Sequence, residues 1–411
     1  MLRRQLLSLA IGAGAMACAE AAPIAPAAPR ARARTTPATS HDVLTTYPPI
    51  APLGAEVFAE RRARAREIAR DMGGDAMVAV SGSTSFAYLT GADFGRSERL
   101  IALVLPVNEG ATLVAPSFEV ERVKRRARGI PVRGWEESAD PIAAVREVIG
   151  AAHTILIEPH VDYAIGLAIA RAVKGSTVED GTKLFEDLRV AKSDDELVRM
   201  RRAIAITEDA IAATFDRLQI GMTEREIARV VREEDARRGV EGGALVQLGA
   251  NAALPHGTPG DARLEEGMVV LIDGGCSFQG YQSDITRTRF FGAPTDRFRA
   301  LYDLVHDAQT EAIARVKPGV PAEEIDRAAR RVIAAGGHAA NFTHRLGHGI
   351  GMDGHEPVYM VEGNTRTLSP GYVFSVEPGI YVDGEIGVRL EDDVVCTKDG
   401  AEIMSRRAPR L

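Results

Sequence analysis

Two stretches of this chain recur at a distance of about 100 residues, and that recurrence restricts the fold more than any other feature. Gly221-Met-Thr-Glu-Arg-Glu226-Ile227-Ala-Arg229-Val-Val-Arg232 aligns with Gly319-Val-Pro-Ala-Glu-Glu324-Ile325-Asp-Arg327-Ala-Ala-Arg330. Leu264-Glu-Glu-Gly267-Met-Val269-Val-Leu-Ile-Asp273 aligns with Leu368-Ser-Pro-Gly371-Tyr-Val373-Phe-Ser-Val-Glu377. The spacing is too long for a solenoid and suits one domain made of two helix-plus-hairpin halves about a pseudo-twofold axis. Each first segment opens a helix, with Thr223 as a cap and Pro321 suited to a first turn. Each second segment is an apolar strand ending in an acid, Asp273 or Glu377. A further acid follows in each half, Asp284 and Glu391, so four carboxylates converge between the halves.

An acid closing a buried strand is costly unless it is paired. Two carboxylates about 4 Å apart repel by roughly 4 kcal/mol even at an effective dielectric near 20, so four together require positive charge. Two divalent cations supply it, and a shared carboxylate sets the separation of about 3.5–4 Å that activates water. Taken singly, each acid has a plainer reading. Asp273-Gly274 is a common start to a hairpin turn, and Asp284 or Glu391 suits an ion pair with Arg287, Arg289 or Arg389. The recurrence and the histidines favour metal. His344, His348 and His355 crowd one glycine-rich run, and Gly347 and Gly349 let backbone approach His348 closely while opposing a helical zinc face. His256 stands about 100 residues before His355, where its half-repeat counterpart would lie. Gly349-Ile-Gly351-Met-Asp-Gly354 spells a dinucleotide fingerprint, but Pro357 soon after it opposes the helix such a site needs.

The rest of the chain frames this domain. Its 411 residues suffice for two domains, and 45% hydrophobic with 26% charged residues is a globular balance. The net charge of −7 gives no basis for a nucleic-acid partner. No apolar run reaches the roughly 18–20 residues of a membrane span. Residues 1–21 read as an export signal, with basic Arg3-Arg4, an apolar stretch from Leu6 to Ala17, and small residues after it. The paired arginines resemble a twin-arginine signal; an ordinary secretory signal is the alternative, and Cys18 admits a lipid anchor. The expected location is periplasmic. Residues 22–47, rich in Ala and Pro, read as a disordered linker.

Residues 48–190 alternate in the manner of a layered α/β domain, with a helix from Glu56 to Met72, strands from Ala76 to Val80, Leu100 to Leu105 and Thr154 to Ile157, and a helix from Ala143 to Ile149. That domain carries no catalytic constellation. Ser193-Asp-Asp-Glu196 is a capping box that opens a helix running past Ala210, so the boundary falls near Lys192 and the chemistry lies in residues 191–405. Cys276 and Cys396 sit in apolar stretches and read as core residues rather than a bridge.

Ser283-Asp284-Ile-Thr-Arg-Thr288, Gly347-His348-x-x-Gly351, Glu377-Pro-Gly379 and Arg389-Leu-Glu391-Asp-Asp393, together with Asp273, resemble the motifs of the pita-bread metallopeptidases, which share the methionine aminopeptidase and creatinase fold. Within these the chain looks most like the Xaa-Pro dipeptidase (prolidase) and aminopeptidase P branch, over about residues 50–405. The resemblance implies an α/β (α+β) chain: an N-terminal α/β creatinase-like domain, then a pita-bread domain of pseudo-twofold halves. It implies a homodimeric enzyme that cleaves Xaa-Pro bonds of small peptides through a metal-bridging hydroxide. Asp273, Asp284, His348, Glu377 and Glu391 would hold two metal ions, with Asp284 and Glu391 bridging. Glu377 would also be the general base. His256 and His355 would contact the substrate and stabilise the tetrahedral intermediate, and His344 and Arg389 would bind substrate. Arg389 and Glu391 share a strand face by alternation, which independently suggests that they pair. The mostly oxygen ligand set favours Mn²⁺, with Co²⁺, Zn²⁺ or Fe²⁺ admitted by availability. Creatinases lack these ligands and methionine aminopeptidases lack the upstream domain, so neither fits. Relatives with the same ligands act on acetylated ectoine-type amides, organophosphates or sulfonium compounds, and these stay open. A non-catalytic exported binding protein would need no base and polarising histidines together.

Overall fold

In the computed structural model, residues 45–127 and 129–411 are described; the expected export signal and the linker as far as residue 44 lie outside them. The first domain is built on a six-stranded sheet in the order Val132–Trp135, Thr112–Pro116, Ala102–Pro106, Ala76–Val80, Thr154–Ile157, Thr177–Asp180. The central strands are buried on both faces, and alternate residues feed two separate apolar cores. Met77, Ala79, Leu103 and Leu105 pack with helix Ala55–Asp71, whereas Val78, Ala102 and Val104 pack with helix Pro141–Ile149. The largest shifts from the sequence reading are at two element starts. The strand expected from Leu100 starts at Ala102, and the helix expected from Ala143 starts at Pro141 because Asp140 caps it and proline suits its first turn.

The second domain opens at helix Asp194–Asp216, whose Ser193–Glu196 capping box is complete in both directions. That helix and Glu224–Arg237 back the antiparallel strands Glu241–Leu248, Val269–Phe278 and Ile285–Phe290. Helices Asp296–Arg315 and Ala322–Ala335 pack against a second sheet containing Gly347–Gly349, Glu356–Met360, Val373–Val376 and Asp392–Cys396. The duplication is visible in single backbone bonds. Gly221 N–H donates to Leu264 O and Leu264 N–H to Met222 O, both at 2.8 Å; Gly319 N–H donates to Leu368 O and Leu368 N–H to Val320 O, both at 2.9 Å. Thr223–Arg263 and Pro321–Thr367 are matching isolated bridges. Gly221 and Gly319, at φ 88° and 84°, take the left-handed backbone that this turn requires of both halves. Pro321 is the cap itself rather than a first-turn residue.

One expectation about the acids is corrected. Glu377 directly follows its strand, but Asp273 lies inside the Val269–Phe278 strand, paired with Leu245 on one side and Thr286 on the other. The glycines after Asp273 do not turn the chain. The ladder with Glu241–Leu248 runs on through Gly274, Gly275 and Ser277, and Gly275 lets Ser283 O approach to 2.1 Å from where a Cβ would be. Cys276 and Cys396 are buried and free. Among the described residues no helix is long and apolar enough to cross a membrane.

Candidate metal centre

The five expected ligands come from five separate segments. Asp273 lies on the strand Val269–Phe278, Asp284 just before Ile285–Phe290, His348 on Gly347–Gly349, Glu377 just after Val373–Val376, and Glu391 in the break between Ile386–Arg389 and Asp392–Cys396. Backbone and buried side chains fix each one. Asp284 N–H donates to Asp393 Oδ2 (3.1 Å), Glu391 N–H to Thr286 O (3.2 Å), Glu377 N–H to Leu346 O (2.9 Å), and His348 N–H to Ser375 Oγ (3.1 Å). Gln309, wholly buried, donates to Val376 O (3.1 Å) and Asp392 Oδ2 (3.0 Å), so one helix side chain holds the strands that carry Glu377 and Glu391. A Cβ at Gly347 would lie 2.0 Å from Ser375 O, and one at Gly349 2.3 Å from Pro357 O. Strands therefore close over both sides of His348, and the dinucleotide reading fails because the run continues into strand Glu356–Met360 instead of a helix.

The ligand atoms form two groups of three that share Glu391. One is His348, Glu377 and Glu391; the other is Asp273, Asp284 and Glu391, with the atoms of each group within 4.8 Å of one another. A third possible group joins Asp284, His348 and His355. Asp273 and Asp284 keep 25% and 24% of their side chains open, while His348 keeps only 3%. Burial and mutual repulsion set the electrostatics of the acids. Burial first, then neighbouring Asp273 and Asp393, push the Asp284 carboxyl well above its ordinary range. Burial, then Asp284 and Glu377, do the same to Glu391. Burial lifts Glu377 to about 7, opposed by Arg389. Burial, then His355, lowers His348 to about 3, so its imidazole is neutral. Its Nδ1–H donates to Gly349 O at 3.1 Å, leaving Nε2 for a ligand bond, 3.4 Å from Glu377 Oε1 and 3.6 Å from Asp284 Oδ2. Four crowded carboxylates and one neutral imidazole are a donor set that fits divalent cations.

The expected substrate-binding residues border this cluster. His355 is exposed, and its ring lies 3.8 Å from that of His348 between centroids. Arg345 donates to His355 Nδ1 (3.2 Å), which puts the ring proton of neutral His355 on Nε2. His256 is exposed in the loop after Leu254, with its ring 6.3 Å from that of His344. His344 is lowered to about 4 by burial and is neutral. Its Nδ1–H donates to Arg345 O (2.7 Å), and its Nε2 accepts from the hydroxyl of Tyr381 (2.8 Å). The expected pairing of Arg389 with Glu391 is corrected. Arg389 Nη2 holds Asp273 Oδ2 at 2.7 Å, and Glu391 accepts instead from Thr286 Oγ1 at 2.7 Å. Alternation fails because Arg389 ends its strand and the chain breaks at Leu390 and Glu391.

The sequence reading gave no role to Tyr381, Thr286 or Asp393. Tyr381 joins Arg389 Nη1 (2.9 Å) to His344, and Thr286 links Arg389 Nε (3.2 Å) to Glu391. Asp393, wholly buried, is lifted to about 8 by that burial. A signal existed: Asp393 and Thr286 stand two residues from Glu391 and Asp284, and Tyr381 four from Glu377, at strand period. A cavity of about 490 Å³ lined by Phe215, Arg287, Phe298 and Arg407 contains none of the ligands.

Two duplicated halves closing on a carboxylate–imidazole cluster, behind a creatinase-like first domain, define a metallopeptidase. Residues 198–398 match the model for metallopeptidase family M24, and residues 61–191 match that for the creatinase/prolidase N-terminal domain. An uncharacterized peptidase of Staphylococcus epidermidis is 36% identical over 323 residues, covering 78% of this chain and 91% of that protein. Among solved structures, dipeptidase PepE from Mycobacterium ulcerans superposes with a TM-score of 0.82 at 34% identity, over 88% of this chain and 99% of that one. A prolidase from Thermococcus sibiricus superposes at 0.79 and 30% identity, over 86% and 98%. The chain belongs to metallopeptidase family M24.

Proposed function

We propose that this enzyme hydrolyses Xaa-Pro bonds of small peptides, as a prolidase or Xaa-Pro aminopeptidase, using two divalent cations held by Asp273, Asp284, His348, Glu377 and Glu391. The observation that carries the reading is the pair of ligand groups sharing Glu391. Mn²⁺ suits a set dominated by carboxylate oxygens. Bound there, the ions would acidify water and polarise the scissile carbonyl. Glu377, with Oε1 steadied by Ser375 Oγ at 3.1 Å, takes the proton from the attacking water and delivers it to the leaving amine. His355 Nε2–H and His256 face the developing oxyanion. His344, Tyr381 and Arg389 orient the substrate and hold Asp273. Proline preference is supported by the motif resemblance and by the prolidase among the similar structures. The resemblance also supports a homodimer, and residues 1–21 support export to the periplasm.

The test is hydrolysis by Mn²⁺-loaded protein of Ala-Pro, Ala-Leu and an Xaa-Pro-Xaa tripeptide. Ala-Pro or the tripeptide should be cleaved far faster than Ala-Leu, and their ratio separates dipeptidase from aminopeptidase. Equal turnover of Ala-Leu and Ala-Pro would overturn the proline reading while leaving the metallopeptidase intact.

A further inference from the structure

His355 is carried by an exposed loop, yet the next residue, Glu356, is among the most buried acids in the molecule at 2% exposure. Its carboxylate faces two cations from the junction between the domains. Lys192 Nζ lies 3.0 Å from Glu356 Oε2, and Arg189 Nη1 3.5 Å from Glu356 Oε1. Arg189 Nη1 also donates to Asp353 Oδ2 at 2.9 Å. The loop is tied within itself by the Asp353 N–H bond to Glu356 Oε1 (3.1 Å) and the Gly351 N–H bond to Asp353 O (3.0 Å). Thr84 of the first domain adds a hydroxyl bond to Asp353. Gly351 permits this arrangement, since a Cβ there would lie 2.7 Å from Glu356 Oε2 and 2.8 Å from Lys192 Cε. Lys192 is itself held by its N–H bond to Gly371 O at 2.8 Å.

We propose that Arg189 and Lys192 are positioning residues for His355, coupling the first domain to catalysis by clamping the loop through Asp353 and Glu356. The inference rests on the reading of His355 as a substrate-contacting group. Two observations favour a positioning role over simple support. Both cations end on Asp353 or Glu356, the residues that flank His355, and a cavity of about 460 Å³ lined by Thr84, Arg189, Asp353, His355 and Glu356 gives an unclamped ring somewhere to swing. A displaced His355 would leave its place beside His348, where the ring centroids lie 3.8 Å apart, without altering any metal ligand.

The experiment is a double-mutant cycle in the full-length, Mn²⁺-loaded enzyme. Arg189→Met should lower kcat on the order of 10- to 100-fold with KM little changed, as a misplaced catalytic group does. In a His355→Ala background the same substitution should cost less than about twofold more, because its effect runs through a side chain already gone. Metal content by elemental analysis should match the parent, and amide exchange across residues 351–357 should quicken. Asp353→Asn keeps the side chain's shape on a partly open loop, and it carries the same test if Arg189→Met fails to fold. Equal kcat losses in both backgrounds, or unchanged kcat and exchange in both variants while His355→Ala is impaired, would overturn the clamp. Full activity of His355→Ala would overturn the role given to His355 itself and the positioning claim with it.

Discussion

At the scale of single residues, the centre is an exercise in charge compensation. Arg389 is the one arginine within bonding distance of the ligand carboxylates among the described contacts, and it is spent on Asp273. Asp284 therefore lacks a cation of its own, and Asp284→Ala should abolish binding of one or both ions and lower kcat by at least about 100-fold, more than loss of a ligand's supporting partner costs. Elemental analysis and kinetics check this. Tyr381→Phe keeps the ring but removes the hydroxyl between His344 and Arg389, and should cost about 10-fold in kcat/KM. The raised carboxyls also set a pH dependence. Folded, metal-free protein holds a proton on Glu377 up to about 7, whereas the unfolded chain releases it near 4.5. Stability from this group is thus present at low pH and lost as pH rises from about 4.5 through 7. Asp284 and Glu391 shift in the same direction. Chelator-treated protein should melt lower at about pH 8 than at about pH 5, and the Tm gained on adding Mn²⁺ should be larger at the higher pH.

At the scale of elements, the duplicated turns and the glycine run decide where side chains end up. The strand carrying His348 is only three residues long, and Ser375 and Pro357 crowd it from either side. Gly347→Ala must push the neighbouring backbone away, because Ser375 O would lie 2.0 Å from the new methyl. A loss of roughly 2–4 kcal/mol in urea unfolding and weaker metal binding are expected, as for other strained core substitutions. Helix starts were legible because capping is local: Ser193 and Thr223 each bond the backbone three residues on, within their own turn. The end of the Asp273 strand was not legible. Asp-Gly is equally a turn signal, and only the pairing with Glu241–Leu248 carries the strand on past Gly275.

At the scale of the whole molecule, the two domains meet through buried ionic contacts that no local pattern announces. Arg61, on the first helix, donates to Tyr281 OH (2.7 Å) and Tyr88 O (3.2 Å), and lies 3.3 Å from Glu196 at the start of the second domain. Arg61→Ala would leave Glu196 buried without its cation. It should destabilise the protein by about 3–5 kcal/mol, measured by denaturant unfolding, the cost of orphaning one member of a buried pair.

The sequence by itself determined the two-domain order, the duplicated second domain and the identity of the converging acids and His348. The acids and the domain order follow from recurrence and alternation, and His348 from its glycine-rich run and the motif resemblance, all of them read along the chain. Only the tertiary structure decided that Arg389 serves Asp273 rather than Glu391, that Tyr381 and Thr286 complete the network, and that Arg189 and Lys192 sit beneath the loop of His355. Most of those contacts join residues about 100 or more positions apart, while Tyr381 reaches His344 across 37 positions and Arg389 across 8. Such partners are set by how the halves close on each other, and a buried charge takes whichever counter-charge that closure brings within reach.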